Sequence, residues 1–316
     1  MWAHATRTAL VRAETRTCQV TDQGRRGDRG VWEAWQTVGM SVGDAAGRGG
    51  LTAGQVLARN AVSVLGAEHG SVVVFGHGYG TDQTVWRGIV ERLAGEHRVV
   101  LFDYVGSGRS DLAAYDEQRY DSLHGYAEDL IEVLDAVGVS RVLFVGHSVS
   151  GMIGALASIR RPDLFRRLLM VCPSPRYIDD GDYRGGFSRA DVTGLLDAID
   201  ANQLAWATSL APIVTARPDR PEITERVREQ FAATAPRIAT HFARVTFLSD
   251  TRHRLSEIPV PCVVLQSQGD IIAPPHIGAY LRDHIPDCTL VTLDASGHFV
   301  HLAEPELIET HIRAAL

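Results

Sequence analysis

Short apolar runs punctuate the chain from about residue 60 onward, and amphipathic stretches fill the gaps between them. SVVVFGHG (71–78) is continuously apolar and ends in glycines, the pattern of a strand buried on both faces of a parallel sheet. HRVVLFDYVG (97–106), RVLFVG (141–146), RRLLMVCPS (166–174), PCVVLQSQGD (261–270) and CTLVTLDASG (288–297) read as strands too, and NAVSVLG (60–66) as one more ahead of them. Between these runs the apolar spacing changes. SLHGYAEDLIEVLDAVGV (122–139) sets Leu123, Tyr126, Leu130, Val133, Leu134 and Val137 at helical intervals, and Gly138 supplies a stop. VSGMIGALASIRR (149–161), PPHIGAYLRDHI (274–285) and PELIETHIRAAL (305–316) are further helices. Strand-helix alternation predicts an α/β fold with a mostly parallel, doubly wound sheet of about seven to eight strands.

The alternation stops between about 175 and 255. RADVTGLLDAIDANQLAWATSLA, EITERVREQFAAT and PRIATHFARVTFLSD read as consecutive helices with no strand among them. Inserted between two sheet strands, they predict a cap over the C-terminal edge of the sheet, where open α/β sheets bind ligands. Residues 1 to about 55 show neither period. DQGRRGDRG and GDAAGRGG lie there, so a disordered N-terminal extension, or upstream sequence included by an early start codon, is expected ahead of a domain over 56–316.

Composition narrows the partners. Hydrophobic residues make up 45% of the chain, ample for a packed core, and the net charge of −7 predicts no basic face for nucleic acid. No apolar run is long enough to span a membrane. Cys18, Cys172, Cys262 and Cys288 are spread without CxxC spacing, which favours reduced core thiols and a cytoplasmic protein over disulfides or zinc. All 31 basic residues are arginine, a bias that a GC-rich genome produces and that says nothing about function.

The chemistry centres on VGHSVSG (145–151). A strand runs into Gly146 and a small-residue helix leaves Ser148, which is the context of a G-x-S-x-G nucleophile elbow. The second glycine is replaced by Ser150, small enough for the turn to close; its hydroxyl is expected to cap or back-bond to the helix. A serine nucleophile needs a base and an orienting acid, which follow in the order Ser, Asp, His in this architecture. Asp270 ends one predicted strand and His298 follows another, so both fall on the same sheet edge as Ser148. Asp103 precedes the serine and reads as structural, the direction of Asp294 is open, His301 falls on a turn or helix start, and His77 and His147 read as packing or hydrogen-bonding groups. The oxyanion donors are expected to be the backbone N–H groups of Val149 and of Tyr79, in GHGYGTDQTVW (76–86). The third glycine of a dinucleotide motif would fall on Thr81, a P-loop needs a lysine the chain lacks, and no HExxH occurs; no cofactor and no metal are expected.

HGYGTDQTVW, the LFDYVGSGRSDL block, FVGHSVSGMIGALASIRRPDLF, CPSPRY and YRGGF together resemble one family of α/β hydrolases. It contains the bacterial sigma-B regulator RsbQ, to which the likeness reads as nearest, and the plant karrikin and strigolactone receptors. The resemblance covers about 56–316. It implies a Ser148–His298–Asp270 triad, and a lid of four helices (about 175–255) inserted before the strand that carries the aspartate. It also implies an apolar pocket lined by Tyr79, Phe187, Trp206, Leu210, Phe231, Phe247 and Phe299, wider on the side where Leu210 replaces a phenylalanine. The implied activity is hydrolysis of a small, mainly apolar ester or lactone; carbon–carbon hydrolysis stays open. The alternative is a slow-turnover or non-enzymatic small-molecule receptor that engages a PAS-domain phosphatase through the lid in a stress response. The plant receptors resemble this chain in carrying serine at the position of Ser150.

Overall fold

Thr52 caps the first described helix, α1 (Ala53–Arg59), through a capping box in which Thr52 Oγ1 accepts from Gln55 N–H and Gln55 Oε1 accepts from Thr52 N–H. The structure, a computed structural model, describes residues 50–316. Most of the expected extension, with Cys18, lies outside the described residues, whereas Ala53–Gln55 already open a helix. The strand expected at 60–66 shrinks to β1 (Ser63–Gly66) because Asn60 serves as the cap of α1 and bonds Asp103 O at 3.0 Å.

The remaining strands are β2 (Val72–Gly76), β3 (Arg98–Leu101), β4 (Val142–His147), β5 (Phe165–Val171), β6 (Cys262–Gly269) and β7 (Cys288–Ser296). They order as β1-β3-β2-β4-β5-β6-β7. Only β1 runs antiparallel, against β3. Alternate residues feed two cores. Val73 and Phe75 of β2 face one side, packing with Trp86 and Ile308; Val74 faces the other, with Leu130 and Ile153. Helices α2 (Arg87–Leu93) and α11 (Pro305–Ala315) cover the first face, and α3 (Leu123–Val137) and α4 (Val149–Arg160) the second. Helix α9 (Pro275–His284) packs on β6 and β7, and the short α10 (Val300–Ala303) packs on α11 and on the turn at Gln83–Trp86.

Between β5 and β6 lie four helices, α5 (Arg189–Ala201), α6 (Gln203–Thr215), α7 (Pro221–Ala233) and α8 (Pro236–Leu248). The stretch read as one helix over 189–211 breaks at Asn202, whose extended backbone and Oδ1, accepting Ala205 N–H at 3.0 Å, start α6 afresh. These helices form the lid. Tyr79 Oη donates to Ala239 O of α8 at 3.0 Å, and Gln230 of α7 donates to Thr84 Oγ1 at 2.8 Å. His298 N–H donates to Val214 O at the end of α6, at 2.7 Å.

A buried charge cluster pins α1 to α3. Asp129, fully buried, takes Arg119 Nη2 at 2.7 Å, Arg59 Nη2 at 3.2 Å and the Tyr120 hydroxyl at 2.8 Å. Glu132 Oε2 also meets Arg59 (2.7 Å) and Arg119 (3.2 Å), so removing Asp129 leaves the guanidinium groups one carboxylate and leaves the buried Tyr120 hydroxyl without its acceptor. Asp129→Ala is expected to cost about 2–3 kcal/mol and to lower Tm by roughly 5–10 °C in a thermal melt.

Candidate active site

The turn from β4 into α4 carries Ser148 at φ 55°, ψ −123°, a conformation that L side chains rarely adopt. The neighbouring residues permit it. A Cβ on Gly146 would stand 2.7 Å from the Ser150 carbonyl, so the strand end has to be glycine for α4 to pass this close. A Cβ on Gly78 would stand 2.6 Å from His147 Nδ1 and 3.4 Å from Ser148 Cβ, so the loop after β2 lies directly against the serine. Ser148 N–H donates to Val171 O at 2.8 Å, tying the turn to the end of β5.

His298 and Asp270 meet as expected from the sequence. His298 Nδ1 lies 2.8 Å from Asp270 Oδ2, and both side chains are buried. Asp270 Oδ1 accepts the N–H groups of Ile272 (2.8 Å) and Ala273 (3.1 Å). A carboxylate oxygen only accepts, so Nδ1 carries the proton and Nε2 is left as the basic nitrogen. Ser148 and His298 line one cavity. The Ser148 hydroxyl has Tyr177 Oη as its side-chain neighbour, at 3.5 Å, and burial pushes the Tyr177 phenol up to about 12, so it stays protonated. Among the described residues, neither Tyr79 N–H nor Val149 N–H has a protein acceptor.

Ser150 does what the sequence did not reveal. Its hydroxyl neither caps nor back-bonds to α4; it donates across to His77 O, and Tyr104 Oη lies 2.9 Å away. A hydroxyl has one proton and a carbonyl only accepts, so Tyr104 donates to Ser150. His77 in turn donates through Nδ1 to Gly78 O (2.9 Å) and accepts Tyr104 N–H at Nε2 (3.1 Å). Burial lowers its pKa and keeps this neutral tautomer. Ser150 therefore fastens the elbow to the loop that carries Tyr79. The only hint in the sequence was the displaced glycine.

The other candidates resolve by their partners. Asp103 accepts Gln83 N–H (2.8 Å) and Arg109 N–H (2.9 Å), a structural role, with burial raising its pKa to about 7. Asp294 is exposed on β7. His147 Nε2 donates to His298 O at 3.0 Å, and His301 packs on His147 and Trp86; burial holds both histidines well below their usual pKa. Cys172, at φ 51° after β5, was read only as core. Its thiol lies within 4.8 Å of the reactive atoms of Asp270 and His298, and burial pushes its pKa up. That trio offers sulfur, oxygen and nitrogen donors.

The cavity is narrower than the sequence implied. It measures about 30 Å³, room for a water molecule or two. Tyr79, Leu210, Phe231, Phe247 and Phe299 line it as expected, with Val214, Thr246, Ile272 and Tyr177 in addition. Phe187 and Trp206 do not. Trp206 sits one layer back, its ring 5.1 Å from Phe231, and Phe187 is held by its backbone against Tyr177 and Asp179. Tyr79 packs among Phe231, Phe242 and Phe247, with ring separations of 5.6–6.4 Å.

A parallel sheet under a four-helix lid, with a strained serine, a histidine and an aspartate at its C-terminal edge, defines the class, and the chain belongs to the alpha/beta hydrolase family, whose model matches residues 73–310. Within it, the chain is 39% identical over 249 residues to the karrikin insensitive 2 receptor CA of Petunia hybrida, covering 78% of this chain and 92% of that one. It is 36% identical over 246 residues to strigolactone esterase D14 of Arabidopsis thaliana, covering 78% and 92%. A hydrolase from Oleispira antarctica superposes with TM-score 0.80 at 37% identity, over 83% of this chain and 96% of that one. The likeness shown is to receptor-type esterases of this kind, a coarser statement than the RsbQ likeness expected from the motifs. No described helix is long and apolar enough to cross a membrane.

Proposed function

We propose that this protein hydrolyses a small, mainly apolar ester or lactone through Ser148, His298 and Asp270. The observation that carries the reading is the buried Nδ1–carboxylate bond of His298, made beside a serine forced into an elbow turn on the same cavity. His298 Nε2 takes the Ser148 proton as the alkoxide attacks the carbonyl. Asp270 fixes the tautomer and stabilises the imidazolium. The N–H groups of Val149 and Tyr79 hold the oxyanion, and Ser150 keeps their two loops in register. His298 then protonates the leaving oxygen, and a water that it deprotonates releases the acyl group. The test is covalent: a fluorophosphonate probe should label the protein once, at Ser148 by peptide mass spectrometry, and labelling at another residue would remove the assignment.

A second reading has its own support. A cavity of about 30 Å³ cannot take a ligand without moving the lid, so occupancy would be reported at the surface. In this reading the protein is an RsbQ-like cytoplasmic regulator that binds or slowly turns over its ligand and engages a PAS-domain phosphatase through the lid. Pull-down of such a phosphatase that does not respond to ligand would count against it.

A further inference from the structure

Thr246 breaks a habit that other helical threonines in this protein keep. Thr193, Thr208, Thr215 and Thr310 each donate to the carbonyl four residues earlier, at 2.8–3.0 Å. Thr246, on α8, makes no such bond, and among the described residues its hydroxyl has no hydrogen-bond partner although the residue is 1% exposed. Burying a hydroxyl without a partner is unfavourable, and a partner four residues back is normally within reach. The residue lines the same cavity as Ser148 and His298, among apolar neighbours such as Leu210, Phe247 and Ile272. Thr246 contributes nothing to fastening the lid through its hydroxyl.

We infer that Thr246 is the residue that selects the acyl group, and that the substrate carries a second oxygen acceptor besides its scissile carbonyl. This rests on the hydrolase reading above and names its substrate class: short oxygenated esters or lactones, in preference to all-carbon acyl chains. Thr246 lines the cavity that holds Ser148, so an acyl group bonded to Ser148 comes up against it, and its unpaired hydroxyl is the polar group within that apolar wall left to bond. An ether, ring or carbonyl oxygen there accepts the hydroxyl proton. A methylene in its place leaves the hydroxyl orphaned in the complex, which penalises the wrong substrate as much as it favours the right one.

The test uses two matched pairs of 4-nitrophenyl esters: methoxyacetate with butanoate, and 3-methoxypropanoate with pentanoate. Each pair differs by one oxygen for one methylene. Thr246→Val replaces the hydroxyl by a methyl group of the same shape. For at least one pair, kcat/KM on the ether ester should fall about tenfold in this variant while kcat/KM on its carbon counterpart rises. Thr246→Ser should retain the wild-type preference. If the ether-to-carbon ratio is the same in wild type and Thr246→Val for both pairs, the assignment is overturned; a parallel fall on all four esters means lid damage and overturns it equally. If the wild-type protein turns over none of the four, or Ser148→Ala turns them over as fast, the hydrolase reading itself fails and takes this one with it.

Discussion

Alanine at position 148 is expected to lower kcat on 4-nitrophenyl acetate by about a millionfold, to the residual level that binding and oxyanion contacts alone provide. The loss is this large because the three side chains act as a unit. Without Oγ, the basic nitrogen of His298 has no nucleophile to activate, and water is not held in its place. The variant should still fold. Alanine meets the same steric cost at φ 55° as serine, and the backbone bond from residue 148 to Val171 O does not involve the side chain. A circular-dichroism melt matching wild type, beside abolished turnover, is the expected pair of results. Undiminished turnover would place the nucleophile elsewhere.

Asp270→Asn should cost about 10⁴ in kcat, and the geometry says why an isosteric change does so much. Oδ1 is committed to the N–H groups of Ile272 and Ala273, so it must remain an oxygen. The amide nitrogen is then forced to the Oδ2 position, facing His298 Nδ1. Two donors cannot share that contact, so His298 must flip its proton to Nε2, where it can no longer accept one from Ser148. The loss should therefore appear in kcat with little change in KM. An Asp270→Asn enzyme that retained most of its kcat would show that the carboxylate does not orient the base.

The sheet and the three candidate catalytic residues were legible in the sequence for one physical reason. Strands buried on both faces leave long apolar runs, and their ends mark one edge of the sheet, so Ser148, Asp270 and His298 could be placed together before any coordinates. Helix α1 was missed because a seven-residue helix leaves little periodicity; the Thr52–Gln55 capping box was the available signal. The break at Asn202 was missed because α5 and α6 are continuous in apolar pattern, and only a cap separates them. The pocket was least legible. Whether an aromatic lines a cavity or stands one layer behind it depends on how the lid helices lean, and Phe187 and Trp206 leave the same trace in sequence as Phe231 and Phe247. Thr246 and Cys172 lay beyond reach for a related reason: a threonine in a helix and a cysteine at a strand end are unremarkable until their neighbours are known.

The small cavity under the lid has a thermodynamic meaning. A cavity of about 30 Å³ is smaller than an ester, so binding one requires side chains or helices around it to move, and the free energy of that movement is subtracted from the affinity. Of the bonds that hold the lid, Gln230–Thr84 joins α7 to the loop after β2 without involving a residue that lines the cavity. Loss of that bond in Gln230→Ala is therefore expected to change ligand affinity while leaving the chemistry at Ser148 intact.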